Sequence, residues 1–150
     1  MTGRLLAMWC EIRPPLTVLG MRGDEKRVVK AFVAWLQPAG WTVQTEVNFV
    51  DVCAQRGDER LYAEAKGRTS SVGLDIDTLH GQLLRRMSDP GTSARYAVVV
   101  PTAAVQAALR VPAWVRQRLS IEPFSSGLGL VSLQDEDCLG DLSCAPRAAA

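Results

Sequence analysis

The fold of this chain is decided by residues 47–66, which read VNFVDVCAQRGDERLYAEAK. Two runs rich in β-branched and aromatic residues predict two strands, over 47–54 and 60–66. The polar cluster between them contains Gly57 followed by Asp58, and a Gly-X pair suits a two-residue hairpin loop. A hairpin closed by that loop pairs the two strands so that Asp51 lies directly opposite Glu64.

The opposed acids indicate a metal site. Directly paired side chains have Cβ atoms about 4.5–5.5 Å apart, and two carboxylates that close repel each other unless a cation lies between them. Alternation along the strands places Ala63 on the apolar face and puts Lys66 on the same face as the acids. A surface hairpin with a simple Glu/Lys pair explains the same pattern. A one-residue shift in register would move Asp51 to the opposite face.

Composition is that of an ordinary globular domain. The chain has 150 residues, of which 47% are apolar and 22% charged, enough for one domain with a substantial core. A net charge of +1 excludes a chain-wide basic signal for nucleic acid, but residues 52–118 carry ten basic against six acidic residues. The apolar run 5–10 is too short to span a bilayer, so we expect no membrane association and a cytoplasmic location.

The remaining elements surround the hairpin. Residues 1–22 have no clear period and are expected to form an N-terminal arm, and 134–150 are typical of a flexible tail. Periodicity and turn residues predict helices over 23–37, from Asp75 or Asp77 to about 87, near 102–109 and near 112–119. They also predict strands over 41–46, 95–101 and within 127–133, besides the two already described. We therefore expect the domain 23–133 to be α/β, a mixed sheet flanked by helices in the order α-β-β-β-α-β.

This order resembles the PD-(D/E)XK nuclease superfamily, and within it Mrr-like restriction endonucleases and Holliday junction resolvase-like enzymes. The residues that carry the resemblance are Val50-Asp51-Val52, Tyr62-Ala63-Glu64-Ala65-Lys66-Gly67 and Gly81-Gln82-Leu83-Leu84. It covers about residues 23–101, and Val50 stands where the family's name has Pro, a common departure. The resemblance implies a restriction-endonuclease-like core and a metal-dependent DNA endonuclease that hydrolyses phosphodiester bonds in restriction or repair.

The resemblance also implies roles for the hairpin residues. Asp51, Glu64 and the backbone carbonyl of Ala65 would bind Mg²⁺, or Mn²⁺ as a substitute, since such ions prefer hard oxygen ligands. Lys66 would orient the attacking water or stabilise charge that develops on the phosphate oxygens.

Further residues extend this site. Glu25 would hold a water of the ion or a second ion, although an acid in the first turn of a helix also complements the helix dipole. Gln82 would support the lysine or the phosphate. The side chains expected to contact DNA are Tyr62, Arg68, Arg85 and Arg86.

Two other functions stay open. A non-catalytic nucleic-acid-binding or assembly module on the same fold is the alternative, and the near-neutral net charge favours it. A protein–protein interaction domain is the third, and it needs neither DNA nor a divalent ion. For the nuclease the partner is DNA, and cutting both strands with one site per chain would call for a homodimer.

Overall fold

The computed structural model describes residues 23–68, 70–88, 93–126 and 131–132. Its helices are α1 (Gly23–Leu36), α2 (Val72–Arg86), α3 (Val105–Ala108) and α4 (Ala113–Arg118). Its strands are β1 (Thr42–Val47), β2 (Val50–Arg56), β3 (Glu59–Ala65), β4 (Arg95–Val100), β5 (Ile121–Ser125) and β6 (Val131–Ser132). The predicted order α-β-β-β-α-β is confirmed. The expected N-terminal arm and the tail from 134 lie outside the described residues.

One mixed sheet forms the centre of the molecule. The six strands follow their sequence order across it. Strands β1, β2 and β3 are antiparallel neighbours, β3, β4 and β5 run parallel, and β6 pairs antiparallel with β5. Because parallel strands need a crossover connection, α2 links β3 to β4. The predicted α/β class, a mixed sheet flanked by helices, is confirmed.

Helices cover both faces of the sheet. Helix α1 packs its apolar stripe, including Phe32 and Leu36, against Val52 and Ala63. Helix α2 packs Ile76, Leu79 and Leu83 on the opposite face, against Tyr96 and Val98. Strand β4 is therefore buried from both sides, as its continuous apolar sequence predicted. None of the helices in the described part of the chain has the length and apolar character needed to cross a bilayer.

The β2–β3 hairpin has the predicted register. The pairs Val52–Ala63 and Arg56–Glu59 leave Gly57 as the first loop residue. Gly57 has φ +57°, which glycine adopts without cost. The described non-glycine residues with positive φ do not include Asp58, so the loop has the φ pattern of a type II′ turn.

The predicted strand 47–54 is wrong at its start. Val47 ends β1 and pairs with Val50, the first residue of β2, so Asn48 and Phe49 form a second two-residue turn. Both turn residues have positive φ, 52° for Asn48 and 65° for Phe49, as in a type I′ turn. Asn reaches this region readily, whereas Phe rarely does, which is why the residue types suggested an unbroken strand.

The start of α2 was predicted wrongly, and the strand β5 was missed. Helix α2 begins at Val72 rather than at Asp75 or Asp77, and Asp75 lies in its first turn, where an acid complements the helix dipole. Strand β5 was not predicted, because Pro123 lies within it and proline is rare inside strands. Of the strand expected within 127–133, the described residues contain only Val131–Ser132.

Candidate active site

The two acids predicted to bind a metal meet where β2 begins and β3 ends. The β2–β3 register, continued by one pair beyond Val52–Ala63, places Asp51 opposite Glu64. The two carboxyl groups hydrogen-bond to each other. Asp51 Oδ2 also accepts a hydrogen bond of 2.7 Å from the backbone N–H of Ala65. The hairpin therefore holds both carboxyl groups in contact on one face of the sheet.

Burial changes the acidity of this pair. Glu64 is only 3% exposed. Burial, together with the charge of Asp51, raises the pKa of Glu64 from 4.5 to about 7. Burial also raises the pKa of Asp51, although the hydrogen bond from Ala65 opposes this rise. In the absence of a metal ion, the pair consequently retains a proton close to neutral pH.

Arg86 is the cationic partner of the buried acid. Its Nε donates a hydrogen bond of 3.2 Å to Glu64 Oε1, and its guanidinium also donates to the backbone carbonyl of Phe49. The sequence placed Arg86 among the DNA contacts and did not predict this pairing. A signal was present, because Arg86 lies one helical turn after Gln82 on the same face of α2. A buried carboxylate also needs a compensating charge.

Lys66 and Glu25 lie together beside the acid pair. The Nζ of Lys66 is 3.6 Å from Glu25 Oε2. The lysine charge lowers the pKa of Asp51, so its ammonium is within electrostatic reach of the pair. The neighbouring Gly67 explains why α1 approaches so closely, since a Cβ at this position would lie 2.6 Å from the Glu25 amide nitrogen. The structure thus brings Asp51, Lys66 and Glu25 together from three segments of the chain.

The other predicted residues have varied surroundings. Tyr62 is half-buried and its ring stacks on Tyr96, with centroids 6.0 Å apart. Arg68 lines a pocket of about 180 Å³ with Lys66 near the carboxyl ends of β3 and β4. Arg85 is exposed on α2, and Gln82 is half-buried there. The DNA contacts of these residues and of Arg86 stay predictions.

The donor atoms fit a hard divalent ion. Two carboxylates and the Ala65 carbonyl would supply oxygen ligands, and Mg²⁺ is often held by one or two carboxylates together with substrate phosphates and waters. Within residues 23–68, 70–88, 93–126 and 131–132, no group of three or more His, Cys, Asp or Glu side chains could form a larger cage. Asp51 and Glu64 therefore suit an ion completed by substrate and water rather than one enclosed by protein.

No protein-family model matches the chain, and no curated protein matches it. Two solved structures are similar to it, each with a TM-score of 0.45. One is an XisH family protein from Nostoc punctiforme, with 17% identity over 70% of this chain and 96% of that protein. The other is an fdxN element excision controlling factor from Anabaena variabilis, with 18% identity over 73% of this chain and 97% of that protein.

Proposed function

We propose that this protein is a Mg²⁺-dependent DNA endonuclease that hydrolyses phosphodiester bonds, as its resemblance to the PD-(D/E)XK nucleases implies. The observation that carries the proposal is the contact between the Asp51 and Glu64 carboxyl groups, with Lys66 at their edge. Two acids that are partly desolvated and close together destabilise the fold once both are ionised. A binding role for a divalent cation explains why the chain retains such a pair.

Each residue has a task that its position supports. Asp51 and Glu64 would hold the ion from two neighbouring strands, with the Ala65 carbonyl as a further ligand. When bound, Mg²⁺ supplies a Lewis acid that polarises the scissile phosphodiester. The Lys66 ammonium stabilises negative charge on the phosphate oxygens as water attacks, and Glu25 orients that ammonium through their ion pair.

Arg86 keeps Glu64 in place. Its hydrogen bond to Oε1 fixes one carboxylate oxygen and leaves the other for the ion. In-line attack by water leaves a 5′-phosphate and a 3′-hydroxyl, as the resemblance implies. Restriction and repair are the processes that such a reaction serves, and the cytoplasmic location and the homodimer stay predictions.

Cleavage of supercoiled plasmid and branched DNA in Mg²⁺ tests the proposal. Wild type should nick both, whereas Lys66→Ala should be slower by about 100-fold, the usual loss when a group that stabilises developing charge is removed. Lys30→Ala is the matched control, because Lys30 is an exposed lysine of α1. Equal nicking by wild type and Lys66→Ala would remove Lys66 from the mechanism. If wild type nicks neither DNA in Mg²⁺ or in Mn²⁺, the proposed endonuclease activity is refuted.

A non-catalytic nucleic-acid-binding or assembly module is the second candidate. One observation favours it: the charges around the pair are already balanced within the protein, Glu64 by Arg86 and Lys66 by Glu25. This function predicts salt-sensitive DNA binding that is unchanged in Asp51→Asn. A protein–protein interaction domain would bind neither DNA nor a divalent ion. Calorimetric titration with Mn²⁺ separates the nuclease from both.

A further inference from the structure

The tip of the β1–β2 hairpin presents an aromatic ring to solvent. Phe49 is 92% exposed, so its ring contributes almost nothing to the core. Its φ of +65° is a genuine outlier for a bulky residue, because the left-handed region brings Cβ too close to the carbonyl oxygen. Asn or Gly would make the same turn with less strain. Neither packing nor turn geometry therefore explains a phenylalanine here.

The backbone of Phe49 is linked to the acid pair through one arginine. Phe49 precedes Asp51 by two residues, so their Cα atoms lie no more than about 7 Å apart, the length of two extended residues. Its carbonyl accepts a hydrogen bond from the Arg86 guanidinium, whose Nε donates to Glu64. One arginine thus connects the hairpin tip to a proposed metal ligand. The strained tip is held at a defined place next to the site rather than projecting at random.

The chemistry beside a phosphodiester identifies what such a ring can contact. The groups that flank a scissile phosphate are sugars and bases, and a flat apolar ring matches the face of a base. In a paired duplex both faces of each base are covered by its neighbours, whereas an unpaired base offers a free face. Stacking on an aromatic side chain is how proteins commonly hold bases of single strands.

We propose that Phe49 stacks on an unpaired nucleobase next to the scissile phosphate. The protein then prefers DNA with unpaired bases at the cleavage position over fully paired duplex. This inference rests on the proposed function, because it takes DNA as the molecule bound at the acid pair, and it specifies the class of substrate.

Binding measured without divalent ions tests the contact separately from cleavage. Fluorescence anisotropy in EDTA compares a duplex containing a short unpaired bubble with the fully paired duplex of the same sequence. A 2-aminopurine in the bubble reports stacking through its quenching. The test variant is Phe49→Asn, because Asn accepts positive φ and keeps the turn. Phe49→Trp retains an aromatic face. Trp114→Ala is the control, since Trp114 is a 71% exposed aromatic residue on α4.

Wild type and Phe49→Trp should bind the bubble more tightly than the duplex and quench the probe. Phe49→Asn should weaken bubble binding by about 5- to 100-fold, lose the quenching and leave duplex binding unchanged. The control Trp114→Ala should behave as wild type. Bubble binding and quenching by Phe49→Asn equal to wild type would overturn the inference. If Phe49→Asn instead changes the sedimentation of the protein and leaves DNA binding intact, the inference is also overturned. The ring would then be assigned to a contact between protein molecules.

The two proposals fail in different ways. A wild type that cleaves DNA with no preference for the bubble, and whose Phe49→Asn variant does the same, refutes stacking and leaves the endonuclease standing. A wild type that quenches the bubble probe through Phe49 but never cleaves refutes the endonuclease and supports the base contact.

Discussion

Replacement of Glu64 by Gln should change how the stability of the protein depends on pH. In Glu64→Gln the side-chain oxygen can still accept from Arg86, and the amide N–H can donate to Asp51 as the protonated acid does. The variant therefore imitates the protonated state of the site at every pH. The pH dependence of the free energy of unfolding should therefore differ between wild type and the variant only in the pH range over which Glu64 ionises.

The sign and size follow from the pKa of Glu64, which is raised from 4.5 to about 7. Between these two values the folded protein binds the proton and the unfolded chain does not, so stability falls as pH rises through this window. At about 1.4 kcal/mol per pKa unit, the loss above pH 7 is at most about 3 kcal/mol. The buried His80 has a pKa lowered by burial and contributes in the opposite sense, but equally in both proteins.

Urea unfolding in EDTA at several values between about pH 5 and pH 8 measures this difference. Across that range the free energy of unfolding of wild type should fall by about 2 kcal/mol relative to that of Glu64→Gln. Addition of Mn²⁺ should restore the stability of wild type and leave the stability of the variant unchanged, because only the ionised pair binds the ion. Parallel pH profiles for the two proteins would show that burial and the charge of Asp51 do not raise the pKa of Glu64 in the folded protein.

Three more substitutions test the surroundings of the site by urea and thermal unfolding. Phe49→Asn should raise the melting temperature by about 2–4 °C, since relief of left-handed strain is worth about 1 kcal/mol; a lower melting temperature would contradict a strained turn. Gly67→Ala should lower the free energy of unfolding by about 1–3 kcal/mol, because its Cβ meets the Glu25 amide nitrogen at 2.6 Å. An unchanged free energy of unfolding in Gly67→Ala would mean that α1 can move away from residue 67 at no cost. Arg86→Gln should cost about 2 kcal/mol by leaving Glu64 without its cation, and wild-type stability would argue against that ion pair.

Local sequence chemistry was enough to predict that Asp51 and Glu64 face each other. The Gly57-Asp58 turn determines the register of β2 and β3, and the register determines that Asp51 faces Glu64. Such a hairpin depends on residues close in sequence, so turn preference and alternation suffice. The same is true of β4, whose β-branched apolar run is typical of a strand covered on both faces.

Features that depend on distant parts of the chain were missed. Strand β5 contains Glu122 and Pro123, which disfavour a strand locally. It forms nevertheless, because it pairs with β4 and Arg95 donates a 2.8 Å hydrogen bond to Glu122. The pairing of Arg86 with Glu64 likewise joins residues that are 22 positions apart. The position of Arg86 one helical turn after Gln82 was the only local signal for it.

Calorimetric titration with Mn²⁺ near neutral pH, with wild type beside Asp51→Asn, shows whether the two carboxyl groups bind a divalent ion. We expect one binding event in wild type, together with release of a proton, because the retained proton must leave the acid pair. The proton release is measured by repeating the titration in buffers of different ionisation enthalpy. Asp51→Asn should show no such event. Absence of binding in wild type, or the same binding in both proteins, would contradict a divalent-ion site at these two carboxyl groups.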